Sequence, residues 1–345
     1  LTLVIWGAVV ATAGGAVAAY GASWAVALGI GVAGWARERR RLPTDRTGEG
    51  IPEERTGALL RFGALRAPGT LFSQLLFFTD FYVLSALYAG LGAVGADAVG
   101  VYGAVLRASQ ALFLFLASVS LTFSPFVADL HHRGERDRLD ALYKQVTRWA
   151  LTATIPVLLV MIVLPEQVLH LFGSGFAGGA SALRTVSIGM IMPVIVGTVG
   201  FILIMAGRTG WDLVVYVGAF VLDVIIALAL ARPSALGIQG AAVAQAATLT
   251  FTALARLFLV RRFLAIWPFD GWYIRLVVPA AAGALAMWGV HEILPQAQWL
   301  VNLAVSSLVG TAVYGLVVLA FALPHAERSQ LTKVTKRLTG RGRAA

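Results

Sequence analysis

The sequence predicts an all-α fold, a polytopic bundle of membrane helices, on three observations. Apolar runs recur from end to end with a length of about 20 residues, enough to cross a hydrocarbon core about 30 Å thick. Nearly all Lys and Arg fall in alternate gaps between these runs, the asymmetry that orients membrane helices. The composition agrees: 59% of the 345 residues are hydrophobic, 13% are charged, and the mean hydropathy is +0.81. A soluble domain carries about 25% charged residues.

The first 36 residues are apolar but too long for one ordinary span, and Gly14 and Gly15 interrupt them. They read as a clipped span to residue 13 and a second to residue 36. The chain opens at Leu1 inside an apolar run, and its first basic cluster (Arg37, Arg39, Arg40, Arg41) comes after that run. A signal peptide has the reverse order, so the start reads as a truncation of a longer protein. Residues 37–58 form a charged linker holding Pro43 and Pro52. Eight spans come next, at 67–89, 98–127, 143–164, 182–206, 213–231, 238–260, 274–292 and 299–323, and the tail at 324–345 is basic. Pro125, Pro156 and Pro193 fall inside spans. Neighbouring helices can satisfy the carbonyls that proline frees.

The gaps sort by charge. One set holds Arg55, Arg61 and Arg66, then Arg133, Arg136, Arg138, Lys144 and Arg148, then Arg208, then Arg256, Arg261, Arg262 and Arg275, and ends in the tail with Lys333, Lys336 and Arg337. The opposite set offers only Arg232, with Arg184 just beyond. A cytoplasmic C-terminus is the expectation. Trp267, Trp272, Tyr273 and Trp299 stand near span ends, where amphipathic rings favour the interface.

The net charge of +10 is explained by these loops, not by a base-stacking basic face, so no nucleic-acid partner is expected. With no Cys, disulfide and thiolate chemistry are excluded. Asn302 is the only asparagine and Leu303-Ala304 follows it, so there is no glycosylation sequon.

Charges inside spans carry the functional information, because each costs about 2.5–3.5 kcal/mol at the bilayer centre on insertion scales. Three stand out: Asp80, Arg107 and Asp223. Two carboxylates in one bundle can share a cation or a proton; the alternative is that each pairs with a hydroxyl, an amide or an arginine. Arg107 offers the paired donors that suit a phosphate; the alternative is that it neutralises Asp80. Gln74, Gln110, Gln239 and Gln245 could bond a sugar hydroxyl or join helices.

Other motifs fail. Gly90-Leu91-Gly92-Ala93-Val94-Gly95 has the dinucleotide spacing, but no strand precedes it and it falls in an external turn. His131-His132 beside Asp129 reads as a solvated loop, and His170 as an interfacial residue of the external gap at 165–181. No zinc helix motif, P-loop or nucleophile elbow is present, so no catalytic centre is visible.

An ordered set of segments resembles the polysaccharide (O-antigen type) flippases of the MOP superfamily, the multidrug/oligosaccharidyl-lipid/polysaccharide group that includes MATE-like proteins. The set begins with Asp80 late in its span, then Val99-Gly100-Val101-Tyr102-Gly103-Ala104 with Arg107. Phe123-Ser124-Pro125-Phe126-Val127-Ala128, Leu142-Tyr143 and Thr147-Arg148-Trp149 follow. Leu169-His170-Leu171-Phe172-Gly173-Ser174-Gly175-Phe176 and Gly237-Ile238-Gln239-Gly240-Ala241-Ala242 complete it. The resemblance covers roughly residues 55–260, with the last two spans matched by topology alone.

The resemblance implies a two-lobed architecture of about fourteen helices. Residues 1–36 would be the last two helices of the N-terminal lobe and 37–58 the inter-lobe linker. Residues 59–262 would be a complete six-helix C-terminal lobe, and 263–323 two trailing helices. The implied activity is translocation of an undecaprenyl-pyrophosphate-linked oligosaccharide across the bacterial cytoplasmic membrane by alternating access, with no enzymatic step. In the lipid II flippase branch, carboxylates of the seventh and eleventh helices bind sodium with a twelfth-helix residue. Asp80 and Asp223 match those carboxylates by position, and Gln245 approximately the third residue, with sodium or a proton as coupling ion and no other cofactor. The branch has an amide four residues before the second carboxylate, where this chain has Ala219. Arg107, with Gln74 and Gln110, matches the substrate-binding side of the cavity. Membrane lipids and glycan polymerase or ligase machinery are the implied partners. The rivals are a multidrug or cation antiporter of the same superfamily, a non-transporting scaffold, and a glycan ligase. The short external gaps, the longest about 17 residues (165–181), argue against the ligase.

Overall fold

The computed structural model describes helical positions between residues 22 and 37, and residues 53–322 apart from 198, 270 and 295–297. The clipped span to residue 13, most of the linker and the basic tail lie outside the described residues. The chain divides into two units, Leu1–Ala58 and Leu59–Ala345. In the first, residues 28–34 form one continuous helical stretch. Among the described residues, the long helices fall mainly in the second.

Helix α1 (Glu53–Tyr88) starts just after Pro52, inside the stretch expected to be linker, and carries Pro68 within it. A 3-10 turn at Ala89–Leu91 leads to α2 (Gly92–His132), and Gly92 takes φ 58°, which favours glycine there. The two helices are antiparallel: Phe81 packs against Gly103, and the Phe77 and Phe113 rings meet edge to face at 4.5 Å. The Gly90–Gly95 motif is therefore a helix–helix turn. His131 and His132 close α2 instead of lying in a loop, and Asp129 is taken by Arg133 at 2.9 Å.

Helix α3 (Arg136–Val163) is followed by the short α4 (Pro165–His170) and a 3-10 turn at Ser174–Gly179. The single span expected at 182–206 is three pieces: α5 (Ala180–Gly189), α6 (Ile191–Val196) and α7 (Val199–Met205). Gly197, at φ 68°, makes the second break. The carbonyl of Val196 accepts a hydrogen bond from the Tyr143 hydroxyl at 2.8 Å. Thr147, one turn along α3, lies so close to Gly197 that a Cβ there would sit 2.7 Å from its methyl. Irregular backbone at membrane depth survives where protein covers it, and α3 does so here.

Helices α8 (Thr209–Leu230) and α9 (Ile238–Leu264) form an antiparallel pair. The trailing helices are α10 (Val277–Ile293) and α11 (Trp299–Val317). They cross at Gly283 and Gly310, where a Cβ on either would fall within 3.0 Å of the other's carbonyl oxygen, an approach only small residues permit. Asn302 is buried there: its Oδ1 faces His291 Nδ1 at 2.8 Å and accepts from Ser306 at 3.2 Å. Tyr314 donates to the Thr152 carbonyl at 3.0 Å and ties the pair to α3. At the other end His170 stacks on Trp299 at 5.6 Å.

Seven stretches of the described residues are long and apolar enough to cross a membrane, and the first, Arg66–Phe113, runs from within α1 through the turn into the first half of α2. Large apolar side chains such as Ile225, Phe258, Leu285 and Leu308 stand exposed, as expected of surfaces that meet lipid. The two largest apolar clusters lie toward opposite ends of the unit. One, around Leu84, Tyr102, Leu169 and Leu183, lies toward the end with few basic residues. The other, around Tyr143, Ile202, Leu203 and Leu257, lies toward the basic end. There arginines sit over aromatic rings: Arg261 on Trp267 at 4.6 Å, Arg208 on Phe263 at 4.8 Å and Arg148 on Trp272 at 5.6 Å.

Candidate functional site

Between the two apolar clusters lies a polar one. Asp80 on α1, Tyr102 on α2, Asp223 on α8 and Thr248 on α9 are all fully buried. Asp80 interacts with both Asp223 and Tyr102, so helices from opposite halves of the unit bring two carboxyl groups together. Sequence spacing selected the acids; Tyr102 and Thr248 it missed, since hydroxyls in apolar spans are common and give no signal.

The cluster is short of donors. Neither oxygen of Asp80, nor Asp223 Oδ2, nor the Tyr102 hydroxyl is aligned into a hydrogen bond. The Thr248 hydroxyl lies 2.9 Å from Asp223 Oδ1 and 2.6 Å from the Ala244 carbonyl, with a single hydrogen for both. Four carboxylate oxygens thus face one shared hydroxyl hydrogen and one tyrosine hydroxyl. Burying an uncompensated charge costs several kcal/mol (about 3–5 on breaking a buried pair), so the arrangement is suited to a positive species held between the acids. Hard oxygen ligands of this kind, carboxylates with hydroxyls, fit sodium or a proton better than a transition metal. No group of three or more His, Cys, Asp or Glu that could hold a metal ion occurs among the described residues.

Gln245, expected as the third ligand, lies one turn before Thr248 on α9 and is buried with both amide atoms unpartnered. Thr248, not Gln245, makes the bond to Asp223. Ala219, one turn before Asp223, is fully buried and offers no polar side-chain atom to the acids.

Arg107 is elsewhere. It lies five residues after Tyr102 on α2, which turns it about 140° away around the helix, and its side chain is exposed. It donates to Gln110 at 3.3 Å and stands 5.9 Å from the Phe78 ring. Gln74, one turn before Phe78 on α1, is exposed as well. Of the three residues assigned to substrate, Arg107 and Gln74 are exposed and Gln110, bonded to Arg107, is half-buried. Among the described residues Arg107 makes no ion pair with Asp80; its partners are Gln110 and the Phe78 ring. Gln239 takes the helix-joining role, donating to Thr185 at 2.6 Å.

A second ionic cluster was not anticipated: Arg256 stood in the basic set of gaps, and Asp212 lies just before the span expected at 213–231. Arg256 is inside α9 and Asp212 inside α8; their side chains are 14% and 3% exposed and 2.7 Å apart. The Arg256 guanidinium also lies 4.2 Å from the Tyr216 ring. Two charged residues at the expected edges of adjacent spans were the available signal.

Comparison with known proteins agrees with this architecture. Residues 70–229 match the MatE family model. A crystal structure of MATE in complex with MaD5 superposes with a TM-score of 0.51 at 15% identity, covering 76% of this chain and 65% of that one. An outward-facing multidrug resistance MATE family transporter of the MOP superfamily gives 0.50 at 17% identity, over 76% of this chain and 63% of that one. The chain thus spans less than two thirds of the length of these transporters. No curated protein matches it. Residues 70–229 thus resemble the MatE family model, in a multi-pass chain with the helical fold of MATE transporters.

Proposed function

We propose that this chain is the C-terminal lobe, with trailing helices, of an alternating-access transporter in which Asp80 and Asp223 hold the coupling cation. The observation that carries the reading is the donor-poor pair of buried carboxyl groups, which a sodium ion or a proton would complete. Two lobes rocking about a central cavity would expose cargo to each side in turn. The cation would favour one packing of α1 against α8 over another, because it binds only where the two acids converge.

For cargo we propose a lipid-linked oligosaccharide, moved across the bacterial cytoplasmic membrane. Arg107, exposed between Gln110 and Phe78, presents guanidinium donors suited to a pyrophosphate, and Gln74 and Gln110 are available to glycan hydroxyls. A multidrug antiporter has at least equal support: the solved MATE structures include a multidrug resistance transporter, and Phe78 and Tyr82 give the same face aromatic surface. Complementation separates the readings. A strain lacking its glycan flippase should recover surface glycan with the parent protein and lose it with Arg107→Ala at equal expression. Drug resistance in a sensitive strain, without a glycan phenotype, selects the antiporter. Cargo movement that persists when sodium and proton gradients are both collapsed overturns the cation role of Asp80 and Asp223.

A further inference from the structure

A cavity of ≈ 290 Å³ opens beside the break in the α5–α7 span; most of its walls are apolar, Leu76, Phe113 and Val199 among them, and Tyr216, Thr252 and Arg256 are its polar side chains. Three of its helices also build the carboxylate cluster, and each places its cavity residue on the basic-loop side of that cluster. On α1, Leu76 comes one turn before Asp80. On α8, Tyr216 comes two turns before Asp223. On α9, which runs the opposite way, Thr252 comes one turn after Thr248.

The link between cavity and cluster is polar. On α9, Gln245, Thr248, Thr252 and Arg256 are spaced by three, four and four residues, which keeps them on one helix face. On α8, Asp212, Tyr216 and Asp223 share a face in the same way. The two stripes meet rung by rung: Arg256 on Asp212 and Tyr216, and Thr248 on Asp223. Thr252 donates to the Thr248 carbonyl at 2.8 Å, so its oxygen keeps lone pairs for a ligand on the cavity side. Asp212 offsets the Arg256 charge, so the wall is not a cationic barrier. Water takes about 30 Å³ per molecule, so the space can hold several. One turn the other way from the acids stand Leu84 and Ala227, both fully buried in apolar packing.

We propose that this cavity is the hydrated antechamber of the carboxylate pair: the coupling cation exchanges between the basic-loop end of the bundle and Asp80–Asp223 through it, with Thr252 and Thr248 as successive oxygen ligands. The inference rests on the cation reading above. The Asp212–Arg256 pair holds the wall and the break at Gly197 makes the room.

The absence of native cysteine makes the test direct. Thr252→Cys and Val199→Cys, on two different helices, are each placed in the full chain and exposed in sealed vesicles to a membrane-impermeant cationic thiosulfonate. Arg138→Cys marks the basic-loop side and Leu84→Cys is the buried reference. Both cavity cysteines should react from the basic-loop side about tenfold faster than Leu84→Cys, about 1.4 kcal/mol in the barrier to entry. Modification should also slow sodium uptake or proton flux into proteoliposomes. Val199→Cys decides where Thr252→Cys does not accumulate. If the parent moves sodium or protons but neither cavity cysteine outpaces Leu84→Cys, or both react only from the opposite side, the route is wrong and the cation site stands. If the parent moves neither ion, the cation reading falls and the antechamber with it.

Discussion

Helices α8 and α9 carry two ionic clusters of opposite character. At the basic end, Asp212 and Arg256 pair at 2.7 Å, and a tyrosine ring covers the guanidinium. Higher in the same pair, Asp223 meets Thr248 and a second acid, Asp80, and no ion pair to either acid is found among the described residues. The first cluster is complete within the protein. The second leaves Asp80 and one oxygen of Asp223 without a hydrogen-bond partner. Buried charge by itself does not mark a functional site; the proposed cation role rests on buried acids that lack a counter-charge.

This contrast can be broken by substitution. The largest effect is expected at the complete cluster: Arg256→Ala leaves Asp212 buried and unpaired and should cost about 3–5 kcal/mol of stability. Thermal unfolding in detergent measures it, and the double variant Asp212→Leu/Arg256→Met should recover most of the loss. If the single variant melts with the parent, the pair is not structural.

At the incomplete cluster the outcome should invert. Asp80→Asn or Asp223→Asn removes a like-charge neighbour and should leave thermal stability unchanged or raised. The dependence of transport on the driving cation should fall about tenfold, equivalent to about 1.4 kcal/mol of cation affinity. Flux in proteoliposomes across a range of sodium concentrations and pH is the measurement. An amide variant that unfolds easily yet keeps its cation dependence would reverse the assignment of the two clusters.

Thr248→Val sharpens the comparison, because it removes the one donor bonded to Asp223 while keeping the side-chain volume. A loss of about 1 kcal/mol is expected, seen as a several-fold weaker cation response with little change in melting. Arg107→Ala should be the mildest for stability, within about 0.5 kcal/mol as for exposed substitutions generally, while abolishing glycan export. Matching losses of melting temperature and export would instead make Arg107 a packing residue.

Much of this architecture was legible in the sequence. The period of apolar runs sets helix number, since the bilayer thickness leaves little freedom in span length. The rarity of charge inside those runs singled out Asp80, Arg107 and Asp223. The break at Gly197 was not legible, because Pro193 and Gly197 are tolerated in continuous membrane helices and only the packing of Tyr143 and Thr147 on α3 supports the opened backbone. Arg256 was misplaced because a basic residue near a span end looks like a loop residue until its partner is known.

Insertion energies act on each residue locally, so the order of residues alone dictates the class of fold, the membrane setting of the helices and the list of ionic residues that had to be explained. Which of those residues meet emerges from the packing of the helices. It joined Asp80 to Asp223 and Asp212 to Arg256 and turned Arg107 outward, because pairing depends on the rotation and depth of one helix against another. Those are fixed by close packing between segments far apart in the chain, which no local pattern records.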